Sequence, residues 1–261
     1  MNIVQKYQTA PTTVKEAKLN IFAPFEKGVT EKIVNDIVYE DEHCKVTING
    51  FKLNQIHRDI LDIACYYGDN SLDARSSDIR PLRLFSLYDI QKHLKYKSKN
   101  QNSWIVKKFD EIQMSLISIE DKTKQEILKF SIIDVAKYSI KQKRYALIIS
   151  SLYMKFFENE ISINYKPYLA QILDLNSQTR ALVRYILSHS NNFQIDLDLA
   201  MEKIGIEKNN ISKQAFTKSR NRILDDEEKL KELNIFFTKK SSDNRKKDFI
   251  ITYKKLKNKE I

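Results

Sequence analysis

The sequence predicts an α+β, predominantly helical protein in which one unit, helix–strand–helix–helix–hairpin, occurs twice. Three observations predict it. Apolar residues recur at helical spacing in several stretches, separated by short segments that alternate with period two. Only 4 Gly and 4 Pro are present, which disfavours barrels and Gly-rich nucleotide-binding folds. The element order read from residues 54 to 138 returns between residues 178 and 253. A chain of 261 residues suits two domains of about 100–150 residues each. A hydrophobic share of 42% gives both of them a core.

Residues 1–30 are polar and carry Pro11, Pro24 and Gly28. They read as a flexible N-terminal arm with one anchored stretch at Ile21, Phe22 and Phe25. Two alternating segments follow, near 37–39 and 45–48, separated by the acidic turn 40–42. Asn49-Gly50, a strong turn signal, closes this small β element.

From Asn54 the period changes. Ile56, Ile60, Ile63, Ala64 and Tyr67 fall on one helical face, and Gly68 ends the helix. A polar loop leads to a strand over 82–85. Ser86 and Asp89 resemble a capping box that opens a helix over 87–94. After the Lys/Asn-rich turn 95–101, a second helix over 102–114 places Ile105, Phe109 and Ile112 on one side. Segments 116–119 and 127–138, around the polar tip 120–124, complete the unit as its hairpin.

In the second copy, a helix over 178–189 turns Leu182, Val183, Tyr185 and Ile186 toward a core. A strand over 193–195 follows, and Asp196 caps a helix over 197–204. Gly205 sits where a helix C-terminus needs φ > 0. Asn210 and Ser212 offer caps for a helix over 213–224. An acidic helix over 226–233, a strand over 235–238, the turn 241–244 and a strand over 249–253 end the unit. Aligning Phe85-Ser86-Leu87 with Ile195-Asp196-Leu197 also superposes Ile90 on Ala200 and Leu94 on Ile204, a degenerate repeat offset by about 110 residues. This is the winged-helix order, so the sequence predicts two tandem winged-helix domains, 31–142 and 143–261. The boundary falls at the basic run 141–144.

The charge balance, 45 Lys+Arg against 34 Asp+Glu for a formal net of +11, points to a polyanionic partner. Seven of those eleven net charges lie within residues 201–261. A Lys-rich solvated surface from an AT-rich genome explains the total alone about equally well, so the placement of charge matters more. Cys44 and Cys65 lack metal spacing and read as thiols of a reducing compartment. The N-terminus has no signal-peptide core, and no apolar run spans a bilayer. The expectation is a cytoplasmic protein without a membrane partner.

In a helix-turn-helix the second helix presents its solvent face to base edges in the major groove. With Phe216 at the core centre of 213–224, a rotation of 100° per residue turns Ser212, Ser219 and Ile223 inward. The opposite face carries Gln214, Lys218 and Asn221, flanked by Lys213, Thr217 and Arg222. Gln and Asn bond adenine bidentately, Lys and Arg favour guanine or phosphate, and Thr meets thymine methyls. No carboxylate interrupts this stretch, unlike a generic surface helix. The hairpin beyond it carries Lys239 and Lys240 on one side, with Arg245, Lys246 and Lys247 on the other. Such a cluster of cations repels itself unless a polyanion lies nearby. In the first domain Lys107 and Lys108 are the candidate DNA ligands, beside Asp110 and Glu111, and Lys95, Lys97 and Lys99 flank them for phosphates. Trp104 lies off the Phe109 face.

Residues 165–173 (Tyr-Lys-Pro-Tyr-Leu-Ala-Gln-Ile-Leu) precede Leu175-Asn-Ser-Gln-Thr-Arg-Ala-Leu-Val-Arg-Tyr185. The latter is similar to a family helix that reads leucine, polar, Ser, two variable positions, Arg, variable, Leu or Ile, Tyr. Arg222-Ile-Leu-Asp225 and Glu232-Leu-Asn-Ile235 resemble the family's "Arg-x-Leu-Asp" end of the recognition helix and the helix after it. The family is the iteron-binding plasmid replication initiators of TrfA type, and the likeness spans most of 50–255. Its usual Gly-Arg in the last hairpin is replaced by Asn244-Arg245-Lys246-Lys247. The resemblance implies binding to direct repeats of double-stranded DNA at an origin, opening of that origin and recruitment of a host initiator and the replicative helicase. It also implies repression of its own promoter, a monomer on DNA and a homodimer through the first domain.

No enzyme is expected, and no cofactor or metal. His43, His57, His93 and His189 are scattered without HxH or HExxH spacing, so a rolling-circle nickase is disfavoured. The acidic run 225–228 opens a helix, where carboxylates favour the helix dipole. No phosphate-binding loop motif occurs. The rival readings are a chromosomal or phage winged-helix transcription regulator and an RNA- or protein-binding winged helix.

Overall fold

The computed structural model describes residues 11–25, 32–73, 80–95, 102–142, 144–155, 160–189, 192–240 and 248–254. The chain divides into two compact units, Met1–Lys166 and Pro167–Ile261.

The first unit opens with strand β1 (Thr12–Thr13), helix α1 (Val14–Lys18) and a hairpin of β2 (Lys32–Glu40) and β3 (Cys44–Phe51). Helix α2 (Gln55–Tyr67) follows, then strands β4 (Asp69–Asp73) and β5 (Arg80–Phe85), and helices α3 (Leu87–His93) and α4 (Asn102–Gln113). Two hairpins come next, β6 (Leu116–Asp121) with β7 (Glu126–Phe130), and β8 (Ile133–Ser139) with β9 (Arg144–Ile149). Helix α5 (Ser151–Met154) and strand β10 (Ser162–Ile163) finish the unit. Strand orders are β2-β3-β6-β7, β4-β5-β9-β8 and β1-β10.

Helix α2 is the axis of this unit, and Gln55 to Tyr66 are all buried. Its start is fixed by a capping box: Ile56 N donates to Asn54 Oδ1 at 3.1 Å, and Asn54 N donates to His57 Nδ1 at 3.0 Å. Burying a charge demands partners, and Arg58 finds Glu16 at 2.8 Å and Asp62 at 2.8 Å. It also donates to Thr12 Oγ1, and Tyr153 Oη donates to Glu16 at 2.7 Å. Burial pushes the Glu16 carboxyl above its usual range, with Arg58 opposing.

The expected flexible arm is therefore corrected over residues 11–25. Thr12, Thr13, Glu16, Leu19, Ile21 and Phe22 are buried, because Arg58 draws this segment onto α2; residues 1–10 and 26–30 lie outside the described residues. Tyr67 is not a core residue but is 39% exposed and stacked on His93 at 3.8 Å. Asn49-Gly50 makes no turn and continues β3. Gly50 has φ +111, and a Cβ there would meet Met114 O at 2.4 Å, so the strand needs glycine at that point.

A larger correction concerns the hairpins. The 116–138 segment is not one wing. Strands β6 and β7 join β2 and β3 in a separate sheet, and the following hairpin, β8–β9, pairs with β5 through Leu82↔Ile148 to Phe85↔Tyr145. Phe85, Phe109 and Tyr145 form a buried aromatic trio with centroids 5.2–5.6 Å apart. This trio binds β9 to β5 and α4. The domain boundary expected at 142/143 consequently falls after Lys166, and within the basic run 141–144 Arg144 is the first residue of β9, with Lys141 and Gln142 following β8.

The second unit runs α6 (Leu169–Leu173), α7 (Ser177–Leu187), β11 (Phe193–Asp196), α8 (Leu197–Lys203), α9 (Lys213–Asp225), α10 (Glu227–Lys231), β12 (Ile235–Lys239) and β13 (Phe249–Tyr253). Its sheet order is β11-β13-β12, antiparallel throughout. Leu182, Ile186, Leu197, Ala200, Ile223, Leu230, Ile235 and Ile251 are fully buried and form its core. Gly205 has φ +85 just past α8, as its place at a helix end requires. Over the described residues of both units helix makes up 42% and strand 32%, so the fold is a mixed one and not predominantly helical. The surplus strand comes from the β2-β3-β6-β7 sheet.

Candidate nucleic-acid interface

Helix α9 starts where Ser212 accepts from Ala215 N at 3.2 Å. This N-cap role leaves Ser212 exposed, which corrects its expected inward placement: a cap residue lies outside the helical rotation. Phe216, Ser219 and Ile223 are buried, so the helix is oriented as its apolar spacing requires.

Three clasps hold α9 against its neighbours. Gln178 Nε2 on α7 donates to Ser219 Oγ at 3.0 Å. Asn176, the N-cap of α7, donates to Arg222 O at 2.7 Å and to Asp226 Oδ2 at 2.5 Å. Arg220 pairs with Asp198 on α8 at 3.1 Å, beside Lys208 at 2.7 Å, and its guanidinium lies 5.6 Å from the Phe249 ring centroid. A recognition element needs such bracing, because contacts a fraction of an ångström out of place lose their bonds.

The opposite side is open. Lys213, Gln214, Thr217, Lys218, Asn221 and Arg222 are all exposed, and so is Asp225. These seven residues line one open depression along the helix. Every α9 residue expected to contact DNA therefore shares a single surface. Thr217 Oγ1 donates to Lys213 O at 2.9 Å, so its hydroxyl proton is committed to the helix. Sequence reasoning stopped at Leu224 and missed Asp225, which the i, i+4, i+7, i+11 spacing from Gln214 would have found.

The remaining candidates divide. Lys239 is exposed at the end of β12. Lys240 is exposed too, but its ammonium lies 2.5 Å from Asp196 Oδ2, and this contact raises its pKa. Asp196 also caps α8, accepting from Asp198 N at 2.9 Å. Burial raises the Asp196 pKa, but the bond from Lys240 and the cap amides outweigh it and hold the carboxyl below its usual range. Arg245, Lys246 and Lys247 lie outside the described residues. In the first unit Lys107 is exposed. Lys108 is half-buried, with its ammonium 2.7 Å from the buried carboxylate of Glu111. Its ammonium lies 5.9 Å from the centroid of Trp104, a half-buried ring. Lys95 is exposed with φ 56, and Lys97 and Lys99 lie outside the described residues.

Both units thus share a winged-helix plan: helix, strand, two helices, then a hairpin whose second strand pairs with the first strand of the plan. The first unit carries it as α2-β5-α3-α4-β8-β9, the second as α7-β11-α8-α9-β12-β13. Two crystal structures of RctB share this architecture. Domains 2 and 3 of RctB in a selenomethionine form match at TM-score 0.60 and 12% identity, over 92% of this chain and 97% of that one. RctB residues 155–483 match at TM-score 0.54 and 13% identity, over 90% and 95%. The Pi initiator protein in complex with iteron DNA superposes more loosely, at TM-score 0.47 and 18% identity, over 76% of this chain and 90% of that one. At these identities the likeness is one of fold. No family model and no curated protein sequence matches the chain. Among the described residues no helix is long and apolar enough to cross a membrane.

Proposed function

We propose that this chain is a plasmid-type replication initiator that binds direct repeats in double-stranded DNA through α9 of its second unit. The observation that carries the reading is the exposed stripe Gln214, Lys218 and Asn221 on a helix braced from three sides. Such a helix fits the major groove, and these side chains offer the amide and ammonium donors that adenine and guanine edges accept. The fold shared with RctB domains 2 and 3 and the sequence likeness around 165–185 and 222–235 support the same reading.

In this proposal the protein acts in the cytoplasm by binding and not by catalysis. It opens the origin beside the repeats, recruits a host initiator and the replicative helicase, and represses its own promoter. The first unit adds DNA grip or a dimer surface. Fluorescence anisotropy with duplexes cut from the sequence flanking the gene tests the core of it. The expected result is nanomolar binding to a duplex that carries neighbouring direct repeats, with a scrambled duplex at least about 1,000-fold weaker. Equal affinity for both duplexes overturns site-specific recognition. A specific site confined to an unrepeated operator would favour a transcription regulator.

A further inference from the structure

We propose that the β8–β9 hairpin of the first unit is a second DNA-contacting wing that enters the minor groove with Ile140 as an apolar wedge. The inference rests on the duplex-binding reading above and assigns it a new site: Lys137, Ile140, Lys141 and Gln142.

Topology gives the first argument. In the second unit the candidate wing is the β12–β13 hairpin, joined to β11 by its second strand. In the first unit the hairpin joined in the same way to the equivalent strand, β5, is β8–β9. The β6–β7 hairpin, which comes earlier in the chain, belongs to another sheet. Position in the repeat therefore assigns the wing role to residues 133–149.

The chemistry of the tip gives the second. The last paired residues are Ser139↔Arg144. Beyond them Ile140 is 83% exposed, and Lys141 and Gln142 are exposed as well. Lys137, also exposed, stands on the strand leading to the tip. The turn is tied at its base, where Gln142 N donates to Ser139 Oγ at 3.3 Å, and Arg144 pairs with Asp69. Lys137 and Lys141 are not in the ion pairs of the described residues, so their charges are available to phosphates.

An isolated exposed isoleucine needs no explanation on a protein surface. One at the tip of a hairpin, next to free cations and a side-chain amide, matches what minor-groove binders present. They grip phosphates with Lys or Arg, read A·T edges with Asn or Gln, and push an apolar side chain between base steps. The wedge unstacks the step and kinks the duplex, most cheaply at flexible pyrimidine–purine steps. A kink of this kind beside the repeats is a physical route to weakening an A·T-rich segment.

The test uses the full chain and a repeat-bearing duplex labelled at its ends with a donor and an acceptor dye, with 2-aminopurine placed along the flanking sequence. The wild-type protein is expected to shorten the end-to-end distance and raise 2-aminopurine emission, and netropsin, which occupies the minor groove, is expected to abolish both signals. Ile140→Ala is expected to bind within about threefold of wild type while losing most of both signals. The pair Lys137→Gln with Lys141→Gln is expected to flatten the log–log salt slope by about two units. A bend unchanged in Ile140→Ala, or insensitivity to netropsin, overturns the wedge. A shift of Ile140→Ala to a different oligomeric state with the bend intact also overturns it, and assigns the tip to protein contacts. Absence of duplex binding by the wild type would remove the α9 reading as well, so the two failures are distinguishable.

Discussion

His57 Nε2 lies 2.7 Å from Glu111 Oε2, joining α2 to α4 with both side chains at most 2% exposed. With its proton on Nε2 the neutral imidazole donates to Glu111 and accepts from Asn54 N through Nδ1, while Nδ1 also lies 2.8 Å from Asn54 Oδ1. Burial holds the His57 pKa below its ordinary value, the Glu111 bond opposing and the Lys108 charge adding. The Glu111 carboxyl sits below its own ordinary value: burial raises it, but the bonds from His57 and Lys108 prevail.

This pair sets a pH dependence. The unfolded chain binds a proton at His57 near pH 6.5 while the folded chain resists it, so stability is lost as pH falls below about 6.5. Depressed Glu111 acts in the same sense, at lower pH. Urea denaturation at pH 7.5 and 5.5 is expected to show a larger drop for wild type than for His57→Gln. Glu111→Ala, which leaves a buried neutral donor without its acceptor, is expected to cost about 1–3 kcal/mol at pH 7.5. An equal pH response in wild type and His57→Gln would contradict the assignment.

Lys218→Ala and Asn221→Ala each remove a group aimed away from the core by α9. Each is expected to weaken repeat binding by about 1–3 kcal/mol and to leave binding to a random duplex nearly intact. Anisotropy titrations on both duplexes separate the effects, and circular dichroism should show an unaltered melt.

Asp225 lies on the same depression as a carboxylate. Opposite a phosphate, one such charge costs about 1 kcal/mol in water. Asp225→Asn is therefore expected to raise affinity for the repeat duplex and the random duplex alike, by about fivefold each, in anisotropy titrations. No change in either affinity would place Asp225 off the DNA.

Lys239 and Lys240 are neighbours with different duties. Lys239→Ala is expected to flatten the salt slope by about one unit. Lys240→Ala is expected to change it less, since its ammonium already faces Asp196. Asp196→Ala is expected to cost about 1 kcal/mol of stability through loss of the α8 cap, read by denaturation, and to free Lys240 for DNA.

The unit boundary can be tested by truncation. A chain ending at Gln142 lacks β9, the strand that contributes Tyr145 to the aromatic trio and pairs with both β5 and β8. It is expected to give no cooperative melt, whereas residues 1–166 are expected to unfold in one transition. Phe109→Ala, in the same trio, is expected to cost about 3–5 kcal/mol.

The second unit was largely legible because its elements are local: Asp196 and Ser212 cap the helices expected of them, and the Phe216 periodicity oriented α9 correctly. In the first unit α2, β5, α3 and α4 were legible, whereas the packed segment 11–25, the strand that runs through Asn49-Gly50 and β4 within the expected polar loop were not. Beyond α4, four β segments in a row offered several pairings, and period-two patterning does not say which strand a segment joins. The run 141–144 looked like a linker because a hairpin tip and a linker share polar composition. The burial of Arg58 was hidden for a related reason: Asp62 lies one turn along the same helix, but Glu16 reaches it only through tertiary packing. Lys108 has its carboxylate, Glu111, three residues along its own helix, a local pairing that spacing alone could have shown. The α9 face needed only the rotation of a helix about one buried phenylalanine.

The short ladder between Thr12 and Ile163 joins the two ends of the first unit. A ribosome synthesising this chain must therefore release more than half of it before that ladder can close. Until then Glu16, already placed against Arg58, lacks the tyrosine hydroxyl that Tyr153 supplies from near the end of the unit. The second unit, whose strands lie closer in sequence, faces no such wait. Translation order thus places the slower, longer-range assembly first, with unfinished strand edges as its period of greatest risk of aggregation.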